Sequence, residues 1–155
     1  MAASWLTPAS QRARIGSPII RQHPVELSVR IARQMARVNG RVSLTILNWH
    51  GSVPDALQVL SALVDNALQH GDTPQRADTV LPVCLSITEA RQLLVDVEDF
   101  SPAFAGFQDV RAGIGDGVLV ELVRSGAITD LTWFVGPEAQ SKTVRAVLTA
   151  VVVQP

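Results

Sequence analysis

The sequence is poor in the residues that staple or anchor a chain. It has one cysteine in 155 residues, Cys84, so no disulfide can close within it, and a lone thiol suits a reducing compartment. No apolar run approaches the ~20 residues a membrane-spanning helix needs, and no signal-peptide core follows the first residues. The closing AVLTAVVV is too short to span and rich in β-branched residues, the make-up of a buried strand. The expectation is a cytoplasmic protein with no membrane contact. Charged residues are also scarce, at 17% against 47% hydrophobic, so most of the chain should be ordered. Internal repeats and low-complexity tracts are lacking, and the length suits one domain with a sizeable core. Lysine is nearly absent: twelve of the thirteen basic side chains are arginine.

What charge there is falls unevenly. Residues 1–41 carry seven arginines against one acid, Glu26, whereas residues 42–155 carry six basic and thirteen acidic side chains. Such a split permits an acidic partner or nucleic acid at the basic front. Internal complementarity, with the basic segment lying on the acidic body, is the plainer reading. Nucleic acid ranks low, because the arginines have no interleaved aromatics and no helix-turn-helix signature around them.

Proline, serine and glycine punctuate residues 1–23, which read as a partly ordered arm with one short strand near Ile19 and Ile20. A helical period starts at Val25. Leu27, Ile31, Met35 and Val38 form one stripe, and Glu26, Arg30, Arg33 and Arg37 lie opposite as a solvated face or a docking one. Asn39–Gly40 reads as the helix stop, with Gly40 a left-handed cap, and VSLTILNWHGS as a short β-like or irregular link. PDALQVLSALVDNALQHG is the best-marked helix: Pro54 suits its first turn, Ser52 or Asp55 its amino terminus, and Gly71 its end. VCLSIT and LLVDVED form a hairpin, residues 103–116 a glycine-rich mobile loop, VLVELVRSG a short helix, and LTWFV with KTVRAVLTAVVV a second hairpin. The order predicts an α+β two-layer sandwich, helices packed on one face of a mixed, mainly antiparallel sheet.

Four features carry candidate chemistry. Asn66 shares a helix face with Ala62, Leu63 and His70, as a core asparagine bonded to backbone, as a residue of a helix edge at the surface, or as a ligand-facing amide. Asp99 ends a strand in VEDFSP, where a carboxylate forms a turn or receives a ligand's amino group. AGIGDG opens a helix, and such glycines can bring N–H groups onto phosphate oxygens. Thr143 starts the last strand, its hydroxyl free to reach a ligand or to pair across the sheet.

An Asn on a helix, Asp–x–Ser–Pro after a strand, Gly–x–Gly before a helix and Lys–Thr–Val on a strand, in that order, resemble the GHKL (histidine kinase-like) ATPase superfamily with its Bergerat-type fold. LVDNALQHG and VEDFSP look most like the small actinobacterial anti-sigma-factor serine kinase-like regulators. The likeness spans roughly residues 24–150, within a domain taken as 24–155. It implies ATP and Mg²⁺ as cofactors: Asn66 would hold the Mg²⁺ that bridges the phosphates, and Asp99 would accept the adenine amino group. Gly113 and Gly115 would turn a lid at about 103–116, and Thr143 would support Asp99 and the base. His70 matches a position such regulators often fill with histidine, although a helix-end cap also accounts for it.

The departures point away from catalysis. Catalytic members carry a glutamate four residues before the asparagine, as general base; here Ala62 stands there, with no lone pair to take a proton. Asp65 lies about 100° round the helix and is no simple substitute. Phe100 and Ser101 replace the glycines that often follow the aspartate. Asp116 follows the lid glycines, where it either caps the next helix or opposes phosphate by like charge. The expected function is an ATP-binding regulator acting on a protein such as a sigma factor or an anti-sigma antagonist, with little or no turnover. The alternatives are an active serine kinase or ATPase with a displaced base, and a docking module independent of nucleotide. Relatives of this kind are often homodimers, so a homodimer is part of the expectation.

Overall fold

The computed structural model describes residues 17–150; the first sixteen residues of the expected arm, and residues 151–153 of the expected final strand with the two that follow, lie outside the described residues. Five strands form one sheet in the order β1-β2-β3-β5-β4, and every pairing is antiparallel. The strands are β1 (Ile19–Ser28), β2 (Val80–Thr88), β3 (Gln92–Asp99), β4 (Asp130–Val135) and β5 (Lys142–Thr149). Helices α1 (Ala32–Leu47) and α2 (Val53–His70) pack on one face, and two short helices, α3 (Phe107–Arg111) and α4 (Val118–Arg124), lie between β3 and β4. The expected α+β two-layer architecture is what the chain adopts. Among the described residues no helix is long and apolar enough to cross a membrane.

The core lies between the two long helices and alternate residues of the strands. Leu81, Val83, Leu85 and Ile87 of β2 face it together with Leu93, Val95 and Val97 of β3 and Val144, Ala146 and Leu148 of β5. Intervening residues point to the opposite face, as the two-residue strand period requires. There Asp96 and Arg145, directly opposed in register, form a two-pronged ion pair at 2.7 Å on each arm. Cys84 and Ser86 are fully buried beside it. Burial first, then the Asp96 charge, pushes the Cys84 thiol up to about 12.

The α2 helix follows its sequence signals. Ser52 accepts a hydrogen bond from the Asp55 N–H, proline occupies the first turn, and Gly71 caps the carboxyl end. Gly71 has a second role, because a Cβ there would stand 2.5 Å from both Ala67 O and Asp99 Cβ. Its missing side chain lets the end of α2 close onto the end of β3.

The front of the chain departs from expectation in three ways. Residues 19–28, read as arm and then helix, form one edge strand in which His23, Val25 and Leu27 turn inward while Gln22, Pro24 and Glu26 face solvent. An edge tolerates Pro24, which has no N–H to donate. Next, α1 does not bury the predicted stripe: Ile31 and Val38 are 48% and 55% exposed, and the inward face is Ala32, Ala36, Gly40, Ser43, Leu44 and Leu47. Finally, Gly40 is no cap and the segment after it no link, since the helix runs on to a left-handed Asn48. A Cβ on Gly40 would come within 2.8 and 2.9 Å of the Leu57 and Leu60 methyls, so the glycine lets α1 and α2 approach closely. The packing of the two helices overrides the usual stop signal of Asn–Gly.

Candidate ligand cleft

A cleft of about 980 Å³ opens between the two long helices and the segment joining β3 to α4, within the range of small-molecule sites. One wall is the outer face of α2, including Ala62, Asp65 and Asn66; Arg33 and Arg37 of α1 flank it. Across from them stand Ser101, Phe104 and the start of α4 at Asp116–Val120, and Lys142 lies at the base. Phe104 is part of an aromatic cluster, 5.1 Å from Phe107 and 6.4 Å from Trp133 between ring centroids. That cluster fastens the 101–107 segment to β4.

Asn66 is half-buried on the cleft wall, and its carboxamide has no hydrogen-bond partner among the described residues. The core reading, an amide bonded to backbone, is therefore not the arrangement found. Ala62 lies in the same wall one turn earlier, nearly buried, and presents only a methyl group. Asp65 is turned to other work: it accepts from Arg33 Nε at 2.6 Å and from Gln69 Nε2 at 3.1 Å. His70 lines the mouth of the cleft and is exposed.

Asp99 is not open to the cleft. It is 2% exposed; Oδ1 accepts the Ser101 N–H at 2.9 Å, closing a turn, and Oδ2 lies 2.7 Å from Lys142 Nζ. Lys142 is as deeply buried, at 3%, and its ammonium stands 5.6 Å over the Phe104 ring. Burial pushes the Asp99 carboxyl above its ordinary value, against the opposing pull of Lys142 and the Ser101 N–H. The chain's one lysine thus occupies the carboxylate expected to receive a ligand's amino group.

Thr143 does not meet Asp99 either. Register pairs Asp99 with Lys142 and Glu98 with Thr143, and directly opposed residues share a face. Thr143 is therefore on the far side of the sheet, near Glu98, which accepts a hydrogen bond from Ser141 Oγ at 3.0 Å. Lys142 was the residue sequence reasoning passed over. Its signal was a solitary lysine at the start of a strand of buried residues.

The glycines of the 103–116 segment have positive φ, 73° at Gly113 and 109° at Gly115, but neither lines the cleft. The Arg124 guanidinium holds both through their carbonyls, donating to Gly113 O at 3.0 Å and Gly115 O at 2.9 Å; it also pairs with Glu121. Asp116, exposed, reaches the cleft just beyond them. The segment is therefore anchored at its turn and built around the short α3, where a free loop was expected. Among the described residues no group of three or more His, Cys, Asp or Glu could hold a metal ion.

No family model matches the sequence, and no curated protein matches it. The fold is similar to that of a chain in the crystal structure of the SiaB–SiaC complex from Pseudomonas aeruginosa. The TM-score is 0.58 and the identity 13%, over 90% of this chain and 96% of that one. At that identity the likeness concerns the fold alone.

Proposed function

We propose that this protein is a regulator that acts by binding a partner protein, on a GHKL-like scaffold that has lost catalytic turnover. The observation that carries the reading is the pair of helix positions on the cleft wall: Asn66 offers an unpartnered amide, and Ala62 leaves the preceding turn without a base. General-base assistance is worth ~10²–10⁴-fold in rate, and Asp65 is already committed to Arg33 and Gln69. The structural likeness to a chain solved in complex with another protein supports partner binding as the mode of action. A sigma factor or an anti-sigma antagonist remains the partner class that the sequence resemblance proposes.

ATP with Mg²⁺ belongs to the proposal only in part. The phosphate side fits: Asn66 offers an oxygen ligand open to the cleft, and Arg37 lines the same cleft without an ion pair among the described residues. The base side does not fit. An adenine amino group would have to displace Lys142 from Asp99, and a buried ammonium deprived of its counter-charge is a heavy penalty. That mismatch favours the second reading, a docking module that works without nucleotide.

Calorimetry with ATP, ADP and inorganic tripolyphosphate, each with and without Mg²⁺, separates the two. Under the leading reading ATP and tripolyphosphate bind alike and only with Mg²⁺, because the phosphates carry the affinity. No binding of any of them at millimolar concentration leaves docking alone. ATP about tenfold tighter than tripolyphosphate, or ~1.4 kcal/mol, would show that Asp99 does exchange Lys142 for adenine. Ala62→Glu tests the catalytic half of the proposal: wild type should turn ATP over at background rate, and robust wild-type activity indifferent to this substitution would place the base elsewhere.

A further inference from the structure

Of the nine large apolar side chains exposed among the described residues, Phe100, Ile114, Val118 and Val135 lie apart on other segments, but four fall along one helix flank. Ile31, Val38, Val42 and Ile46 are each between 48% and 57% exposed, and with half-buried Met35 they recur at helical spacing along the whole of α1. At 100° per residue they form a strip about 80° wide and about 22 Å long. The strip is neither the side of α1 that meets the sheet nor the side that meets α2 at Gly40; it runs along the outer flank of the sandwich, above edge strand β1. Ile20 of edge strand β1 is also exposed, at 56%. A run of this kind on a surface marks an interaction site, where single exposed residues do not.

The charges beside the strip identify its occupant. From Arg30 through Leu47 the chain carries four arginines and no acid. Arg33 is paired with Asp65, whereas Arg30, Arg37 and Arg41 have no ion pair among the described residues. These three occupy the solvent face about a quarter-turn from the strip, within reach of anything lying on it through their long stems. A second copy of α1 laid strip to strip would bring both sets of unpaired arginines along one seam with nothing to neutralise them. Strand addition to β1 is hindered as well, by Pro24 and by the register shift between Ile19 and Arg21, two devices that blunt an edge.

We infer that α1 is the partner-docking surface of this protein and that it takes an amphipathic acidic helix: an apolar stripe to cover Ile31, Val38, Val42 and Ile46, flanked by carboxylates that meet Arg30 and Arg41. Helix-on-helix recognition of this kind places apolar anchors at i, i+3, i+4 and i+7, with the charges setting orientation and encounter rate. The inference rests on the partner-binding reading and names its place and chemistry.

The test is fluorescence anisotropy of the full chain with a synthetic peptide of about five helical turns, leucines on one face and glutamates elsewhere, and with a matched peptide carrying lysine for glutamate. The acidic peptide should bind, less tightly as salt rises. Val38→Ser with Val42→Ser, and separately Arg30→Glu with Arg41→Glu, should each weaken it about tenfold or more; all four positions are exposed, and thermal melts should be unchanged. Equal affinity for the two peptides, or no binding of either, overturns the inference. Binding lost in Phe104→Ala but kept in the Val38 and Val42 variants moves the partner to the cleft, sinking this inference while leaving the partner-binding reading in place. A sedimenting dimer that Val38→Ser with Val42→Ser dissolves gives the strip to a second copy. Binding that appears only in Trp5→Ser with Leu6→Ser gives it to the chain's own first residues.

Discussion

Replacing Lys142 with methionine keeps most of the side chain's volume and removes its charge, which isolates the contribution of the ammonium. Asp99 would then be a carboxylate with 1% side-chain exposure and no counter-ion, its remaining hydrogen bond being the one Oδ1 accepts from the Ser101 N–H. Breaking a buried pair from one side typically costs ~3–5 kcal/mol, because the penalty is that of the orphaned charge rather than the worth of the pair. For a domain of this size that is about 10 °C in Tm. Adding Asp99→Asn to Lys142→Met removes the orphan, so the double variant should recover most of the loss, with a coupling of at least ~2 kcal/mol across the cycle. The pH dependence follows from the same group. In the wild type the folded Asp99 carboxyl already titrates above its ordinary value, so its contribution is complete in acid, below about pH 4, and fades as pH rises through the raised value. Without Lys142 the rise is greater. The deficit of Lys142→Met measured by urea denaturation at pH 7 should therefore shrink at pH 5 as Asp99 takes up its proton. A deficit below ~1 kcal/mol, additive single changes, or a loss independent of pH would refute the claim that these two residues act as one buried unit.

Gly71→Ala should destabilise by ~1–3 kcal/mol, the range for overpacking, since the new Cβ would press on a backbone carbonyl and on Asp99; a neutral urea midpoint would show that the junction of α2 and β3 has slack. Cys84, fully buried with its thiol held near 12, should resist an aromatic disulfide reagent at pH 8 and react at once in denaturant, and quick reaction of the native protein would place it at an accessible surface. Arg124→Ala should raise amide hydrogen exchange across residues 113–117 while α2 keeps its protection, because both glycine carbonyls lose their donor; unchanged exchange would mean that the turn holds itself. Asp96→Ala should cost ~3–5 kcal/mol by leaving Arg145 buried without its carboxylate, and a loss within the noise of the measurement would deny that pair a part in stability.

The elements that the sequence made legible are those whose signals are local. Ser52, Pro54 and Gly71 mark α2 by chemistry that acts within one turn, and the two hairpins declare themselves through apolar runs bounded by turn residues. The front was misread because Leu27, Ile31, Met35 and Val38 fall at helical spacing by coincidence of a strand end with an exposed helix flank. Only the position of α2, through Leu57 and Leu60 at Gly40, shows which side of α1 is buried. The same distinction divides the candidate site. Asn66 and Ala62 could be placed together because helix geometry fixes residues four apart. Whether Lys142 or Thr143 faces Asp99 depends on strand register, where one residue's slip exchanges the two faces, and register is set by the whole sheet.

Lys142 is the chain's one lysine, and it lies at 3% exposure against Asp99. The folded domain therefore presents no lysine amine to its surroundings. At a lysine side chain, acyl transfer, carbamylation, Schiff-base formation with aldehydes and isopeptide linkage to another protein all need a free, uncharged amine at the surface, and the fold withholds it. An amine-directed reagent that modifies Lys142 must wait for the β3–β5 junction to open. The extent of lysine labelling over time thus reports the opening of the cleft floor at a single defined atom, without any engineered probe.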